Sequence, residues 1–204
     1  MNPDADIPVD PMLFDIGEPI DTVDGSLMVE EQDEQPEPRD TTVPLPFAPL
    51  TGAAFDKERT YRYALWRRFL EKGDTCLFIM LNPSTADEMK NDPTITRCEG
   101  FARGFGYARL VVANLFALRA TDPRHLKLHE NAIGYENDAW IKKLRAMSKL
   151  CICAWGCHGK LYGRDQAVMA YLREMGPLHC LKKTKHGHPN HPLYLRADLK
   201  PMEF

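Results

Sequence analysis

The chain has 204 residues, of which 44% are hydrophobic, and its formal net charge at pH 7 is −3. This length suits one domain with a tail, and the hydrophobic fraction is sufficient for a buried core. The longest apolar runs, residues 76–81 and 110–113, are far shorter than the roughly 20 residues of a membrane span. The first ten residues contain no basic or apolar segment, so we expect no signal peptide and a cytoplasmic protein.

Charge is divided unevenly along the chain. Residues 1–54 contain 13 acidic residues and a single arginine, so the remaining residues carry a net charge of +9. Residues 1–45 are rich in proline and acidic side chains and poor in aromatic ones, which predicts a disordered acidic tail. We expect the folded domain to span residues 46–204. A basic domain favours a polyanionic partner, although the tail could equally serve to keep the domain soluble.

The predicted elements of the domain alternate between strand and helix. Residues 61–70 could form an edge strand or a strand that turns into a helix. Four short apolar runs then predict buried strands, with amphipathic helices between them. The predicted strands are residues 76–81, 110–116, 150–155 and 178–181, and the predicted helices are residues 93–105, 137–147 and 164–175. This order predicts an α/β fold, a three-layer sandwich with a mainly parallel four-stranded central sheet.

Ligands of such sheets bind beyond the carboxyl ends of the strands, so the loops that follow the predicted strands should meet there. Asn82 opens the first of these loops, in the sequence Asn-Pro-Ser-Thr, which could hold an anion or form an ordinary turn. Asn114 ends an apolar strand, where a buried amide needs partners. It could hold a neighbouring loop, or it could pair with the edge of a nucleobase.

Two groups of residues contain potential metal ligands. Three cysteines lie close together in the third strand and its loop, namely Cys151, Cys153 and Cys157. Three histidines lie in the fourth loop, namely His186, His188 and His191. Neither group has the spacing of a common zinc motif. We therefore expect reduced thiols and neither a metal nor another cofactor.

Taken in order, the four loops resemble those of the uracil-DNA glycosylase superfamily. The blocks that carry this resemblance are MLNPST at residues 80–85, VVANLFALRAT at 111–121, CAWGCHG at 153–159 and HPNHP at 188–192. The chain also resembles a bacterial and phage family of unknown activity that shares the NPSTAD, NLFALRATDP, AWG-HG and HP-HPLYL blocks. The first loop lacks the aromatic side chain that crowds the base pocket of uracil-specific glycosylases.

The resemblance to the glycosylases implies a role for each loop. Asn82 would position the attacking water, and Asn114 would recognise a flipped pyrimidine. His188, or His191 if the alignment shifts by three residues, would support the anionic oxygen of the leaving base. Asp87 would supply the carboxylate that Asn82 lacks, as Asp92 also could. Further base-binding residues would be Pro83, Phe116 and His158, and the residues expected to contact phosphate or DNA are Ser84, Thr85, Lys160, Lys185 and His191.

The predicted function is nucleobase processing, by a DNA glycosylase-like hydrolase that acts on a flipped uracil-type or modified base. One alternative is a non-catalytic reader of modified bases or nucleotides on the same fold. Another is a nucleotide-level enzyme in a phage or bacterial DNA-modification pathway. We expect a monomer that binds DNA or a nucleotide and no membrane, with an acidic tail that could occupy the basic surface and inhibit the domain.

Overall fold

The computed structural model describes residues 50–204, and the acidic tail predicted for residues 1–45 lies outside this described part. The described chain forms one sheet of seven strands with three α-helices, which confirms an α/β fold. The strands are β1 (Thr51–Phe55), β2 (Arg62–Arg68), β3 (Thr75–Met80), β4 (Arg109–Asn114), β5 (Leu150–Cys153), β6 (His179–Cys180) and β7 (Met202–Glu203). The helices are α1 (Pro93–Gly104), α2 (Asn137–Ala146) and α3 (Arg164–Glu174).

The centre of the sheet is parallel and both of its edges are antiparallel. The strand order is β1-β2-β4-β3-β5-β6-β7. Strands β4, β3, β5 and β6 run parallel to one another, whereas β1, β2 and β7 pair antiparallel with their neighbours. The four predicted strands are thus the parallel centre. The prediction of a four-stranded sheet is wrong, because three further strands extend the sheet at both edges.

Strand β2 departs most from the sequence prediction. It is neither an edge strand nor the start of a helix, since it pairs with β1 on one side and β4 on the other. Its arginines make the sequence misleading, because charged side chains normally indicate an exposed strand. Arg62 and Arg67 are nevertheless only 2% and 4% exposed.

Helices cover both faces of the sheet. In β3, Phe78 packs in the same apolar cluster as Phe101 of α1. The neighbouring Ile79 points to the opposite face, where it packs in a cluster with Ile141 of α2 and Leu172 of α3. Successive residues of a strand face opposite sides, so a strand covered on both faces is apolar throughout. This explains the continuous apolar runs from which the central strands were predicted.

The order of the parallel strands creates a crevice at one end of the sheet. The chain leaves β3 through α1 to reach β4 on one side, and it leaves β5 through α3 to reach β6 on the other. Because β3 and β5 are neighbours, the loops that follow them diverge at their carboxyl ends. Crevices of this kind are where open α/β sheets bind their ligands.

Helix α1 begins beside this crevice, as the sequence predicts. The Asp92 carboxylate accepts a hydrogen bond from the backbone N–H of Ile95 at 2.8 Å, and Pro93 occupies the first helical position. An aspartate in this capping position satisfies a free amide and complements the positive end of the helix dipole. The cap therefore fixes the Asp92 carboxylate at the edge of the crevice.

No helix within residues 50–204 is long and apolar enough to cross a membrane. All six cysteines are unpaired, and Cys157 alone among them is exposed. Burial raises the pKa of Cys151 to about 12. Thiols in such surroundings are inert packing groups.

Candidate functional site

A cavity of about 360 Å³ opens at the carboxyl ends of β3, β4 and β5. This volume lies within the range of small-molecule sites, about 300–1,000 Å³. Apolar side chains form much of its wall, and a small set of polar and aromatic side chains joins them. This set includes Arg62, Asn82, Asp92, Asn114, Trp155 and His191.

Asn114 is the most unusual of these side chains. It is 1% exposed, and neither its Oδ1 nor its Nδ2 has a hydrogen-bond partner among the described residues. Its backbone is held firmly, since its carbonyl oxygen accepts a hydrogen bond from Asn137 Nδ2 at 3.0 Å. A buried amide without partners costs free energy unless a ligand supplies them. Asn114 thus offers one donor and one acceptor side by side in the cavity wall.

Asn82 joins two of the loops around the cavity. Its Nδ2 donates to the carbonyl oxygen of Ala120 at 2.7 Å and to that of Pro83 at 3.0 Å. The first bond ties the loop after β3 to the loop after β4. With Nδ2 engaged in this way, Oδ1 is the atom of Asn82 that can accept a hydrogen bond from a ligand or a water molecule.

His191 contributes a neutral ring to the cavity wall. Its Nδ1 accepts a hydrogen bond from the backbone N–H of Leu193 at 3.4 Å, so the neutral ring carries its proton on Nε2. Burial lowers the pKa of His191, and the negative charge of Asp92 opposes this shift only in part. The neutral form therefore predominates at pH 7, with Nε2–H as a hydrogen-bond donor.

Arg62 places a buried cation at the same cavity. Its Nη1 donates to the carbonyl oxygen of Ala86 at 2.7 Å, while its Nε has no partner within residues 50–204. Across that same range, no carboxylate oxygen lies within 4.0 Å of its guanidinium group. Burial lowers the pKa of Arg62 to about 10, so the side chain remains protonated at pH 7.

Trp155 forms an aromatic part of the wall. It is 2% exposed, and its indole Nε1 has no hydrogen-bond partner in the described part of the chain. On its other side, Gly159 packs so closely that a Cβ atom at this position would overlap the indole ring. The ring of Phe204 meets Trp155 edge-on, with centroids 6.0 Å apart. These contacts fix the orientation of the indole.

Two basic depressions adjoin the cavity, and each shares different lining residues with it. The first shares Ser84 with the cavity and is lined by Arg59 and Arg119. In the second, which shares His158 with the cavity, the basic side chains are Arg124, Lys127 and Lys160. Arg59 pairs with Glu88, and Arg124 pairs with Asp122. Clustered basic side chains of this kind attract phosphate groups.

Some residues predicted from the sequence meet at this end of the sheet. The predicted site residues in the cavity lining are Asn82, Ser84, Asn114, His158 and His191. Thr85 lies in the first basic depression, and Lys160 lies in the second.

The other predicted site residues are placed elsewhere. Phe116 is fully buried in the core on the α2 and α3 side, and Pro83 is a buried residue of the first loop that does not line the cavity. The Asp87 carboxylate accepts from the backbone N–H groups of Met89 and Lys90 at 2.9 and 2.7 Å, and these bonds lower its pKa. It therefore closes a turn.

The turn that contains His188 lies outside the cavity lining. The backbone N–H of His188 donates to Thr184 Oγ1 at 3.1 Å, and its carbonyl oxygen accepts from the Thr184 N–H at 2.7 Å. Lys185 is an exposed residue of the same turn. The histidine of this loop that lines the cavity is His191.

The sequence prediction did not include Arg62 and Trp155 among the site residues. Arg62 stands second in the segment YRYALW, and no local feature distinguishes it from the exposed arginine that its charge alone predicts. Trp155 is the second residue after the end of β5, which is the position that Asn82 occupies after β3. Among residues 50–204, no group of three or more histidine, cysteine or acidic side chains could hold a metal ion.

The chain matches a known family model. The family model described as "Protein of unknown function (DUF1643)" matches residues 62–193, more than half of the chain. No curated protein and no solved structure shows significant similarity to this chain. The matched span begins at Arg62 and ends at Leu193, so it contains the whole lining of the cavity. The chain belongs to this family of proteins of unknown function, DUF1643.

Proposed function

We propose that the cavity binds a nucleobase and that the chain is a nucleobase-processing protein of the DNA glycosylase type. The observation that carries this proposal is the buried amide of Asn114, which has no hydrogen-bond partner in the part of the chain that the structure describes. An amide presents a donor beside an acceptor, which is the pattern needed to pair with the edge of a base. Trp155 adds an aromatic surface in the same wall. The four parallel strands at the centre of the sheet support a uracil-DNA glycosylase-like core, extended here by antiparallel strands.

Nucleic acid would lie across the mouth of the cavity. An enzyme that acts on a base must take it out of the stack, at a cost of about a few kcal/mol. The two basic depressions that adjoin the cavity are suited to the phosphates that flank an extruded nucleotide. Among their side chains, Lys127 and Lys160 carry charge without a carboxylate within 4.0 Å in the described part of the chain.

The proposed reaction is hydrolysis of the glycosidic bond. Water attacks the anomeric carbon of the sugar, the bond from this carbon to the base breaks, and the base leaves with the electron pair. Asn82 Oδ1 would orient the water, and the Asp92 carboxylate would take its proton. The Nε2–H of His191 would donate to the anionic base as it departs, which is worth about 100- to 1,000-fold in rate. In this proposal Asp92 replaces Asp87, whose carboxylate is engaged in its turn.

The test is incubation of the full chain with oligonucleotides that carry uracil, mismatched thymine, hydroxymethyluracil or other modified bases. Abasic sites are scored for the native chain and for the variants Asn82→Ala, His191→Ala and His188→Ala. We expect the first two variants to lose activity. His188→Ala is the matched control, because His188 belongs to the same loop but lies outside the cavity lining. Equal losses from both histidine variants would contradict the assignment of His191.

A non-catalytic reader of modified bases is the second candidate. A reader is favoured because neither group proposed to activate water is a free base. The Asn82 amide cannot accept a proton, and the Asp92 carboxylate already caps α1. A reader would bind one oligonucleotide of the panel tightly and in a salt-dependent manner, yet form no abasic product.

A further inference from the structure

We propose that Arg62 forms an anion subsite in the cavity and that its ligand is a phosphate group. This inference rests on the proposed function, because it names the charged part of the ligand whose base Asn114 would recognise. The phosphate could belong to the backbone of a nucleic acid or to a free nucleotide. Both sources present the same oxygen atoms to the guanidinium group.

Two buried arginines on β2 differ in how many of their hydrogen-bond donors have partners. Arg62 and Arg67 are 2% and 4% exposed, so both are removed from water. All three side-chain nitrogens of Arg67 donate hydrogen bonds, to five backbone carbonyl oxygens and to the Asn91 side chain. Within residues 50–204, Arg62 makes a single side-chain hydrogen bond, to the carbonyl oxygen of Ala86. Arg67 thus ties a loop to the sheet, whereas most donors of Arg62 are unused.

The charges around Arg62 compensate its cation only in part, and within residues 50–204 no carboxylate pairs with it directly. Asp92 and Asp87 favour the charged form, but Arg119 and Arg67 oppose it, and burial has the largest effect on its pKa. Asp92 is the acidic residue of the cavity lining, and its carboxylate accepts the Ile95 N–H at the start of α1. A buried charge without a partner is costly, and such groups concentrate at functional sites.

The position of Arg62 determines which ligand it would serve. Arg62 and Asn114 line the same cavity, together with the hydroxyl groups of Ser84 and Thr94. The planar guanidinium group matches phosphate geometry, and hydroxyl groups donate to phosphate oxygens. A single ligand with a base at Asn114 and a phosphate at Arg62 would provide partners for both buried side chains.

The test measures the binding of phosphate by the full chain. The rise in melting temperature is recorded against the concentration of inorganic phosphate, with sodium chloride at equal ionic strength as the reference. We expect Arg62→Met to weaken phosphate binding by about 10- to 100-fold, the usual worth of a hydrogen bond between charged groups. Arg67→Met is the matched control, because it removes a buried arginine outside the cavity. It should lower the melting temperature but keep the phosphate-dependent rise.

A second variant distinguishes loss of the phosphate site from misfolding. Arg62→Lys keeps the charge but not the fork of donors, so it should retain part of the phosphate-dependent rise. The inference is overturned if Arg62→Met keeps the full phosphate-dependent rise in melting temperature. It is also overturned if phosphate does not raise the melting temperature of the native chain and an oligonucleotide binds the native and Arg62→Met chains equally.

Further arms of the experiment separate the two sources of phosphate. A nucleoside 5′-monophosphate, the matching nucleoside and an oligonucleotide are each titrated against native chain and Arg62→Met. Loss of nucleotide binding alone supports a free nucleotide, and loss of oligonucleotide binding alone supports a backbone phosphate. If inorganic phosphate binds through Arg62 while no base-containing ligand binds, the subsite stands and the proposed function fails. If the nucleoside and the oligonucleotide each bind Arg62→Met as tightly as they bind the native chain, the subsite fails and base recognition stands.

Discussion

Replacement of Asn114 by leucine is expected to stabilise the fold while it removes base recognition. Asn114 is 1% exposed, and both polar atoms of its amide lack partners among residues 50–204. Leucine has nearly the same shape, and Asn114 shares the cavity wall with the apolar side chains of Met80 and Val112. The substitution therefore removes a desolvation cost without opening a large void.

The size of this effect follows from the two unpaired atoms. Leaving a buried polar group unsatisfied costs about 1–3 kcal/mol, so Asn114→Leu should raise the free energy of unfolding by about this amount. The chain has 204 residues. In chains of this size each kcal/mol shifts the melting temperature by about 2–4 °C, which gives a rise of roughly 2–12 °C. Chemical denaturation and calorimetry of the full chain measure both quantities.

Asn137→Leu is the matched control. Asn137 is fully buried like Asn114, but its Nδ2 donates to the carbonyl oxygens of Asn114 and Leu115, both at 3.0 Å. Loss of these bonds outweighs removal of its unpaired Oδ1, so we expect destabilisation by about 1–3 kcal/mol. The two substitutions should thus change stability in opposite directions. If Asn114→Leu destabilises the fold as Asn137→Leu does, the amide of Asn114 has a fixed partner and the reasoning is refuted.

Three further predictions concern the walls of the cavity and the second basic depression. In Gly159→Ala the added Cβ would overlap the indole of Trp155, so this change should destabilise the fold by about 1–3 kcal/mol and red-shift tryptophan fluorescence. An unchanged fluorescence spectrum would contradict this prediction. Burial lowers the pKa of His191, so NMR should show that it titrates below the ordinary value of 6.5. Because the unfolded chain then binds the proton more readily, the free energy of unfolding should fall as the pH falls below 6.5. This fall should be smaller in His191→Gln. If the chain binds DNA, Lys127→Gln and Lys160→Gln should each reduce the slope of log affinity against log salt by about 1, and an unchanged slope would place the DNA elsewhere.

The centre of the fold could be predicted because its signals are local. Strands β3, β4 and β5 are continuous apolar runs, and their bounds differ from the prediction by at most two residues. Strand β2 could not be assigned in the same way, since its buried Arg67 is satisfied by carbonyl groups of a loop about 20 residues away in sequence. Strand β7 has only two residues and both are exposed, so it carries no hydrophobic pattern.

The candidate site was predictable where a polar residue ends an apolar strand. Asn82 and Asn114 show this pattern, and both line the cavity. The choice between His188 and His191 depends on a turn closed by Thr184, which the spacing of the histidines does not reveal. Arg62 reaches the cavity because β2 pairs with β4, a contact between residues 41 to 47 positions apart in sequence. Such long-range pairings are set by tertiary structure and leave no local signal.

The buried polar groups themselves indicate what the cavity is for. Two pairs of side chains have the same residue type and similar burial. One pair is Asn114 and Asn137, and the other is Arg62 and Arg67. In each pair, the side chain outside the cavity lining donates to backbone carbonyl oxygens, as ordinary buried polar groups do. The side chain in the lining lacks such partners at most of its polar atoms. The fold can therefore satisfy buried amides and guanidinium groups. Of these four side chains, the two whose polar atoms mostly lack partners among residues 50–204 line the cavity, where a ligand with a base and a phosphate would meet them.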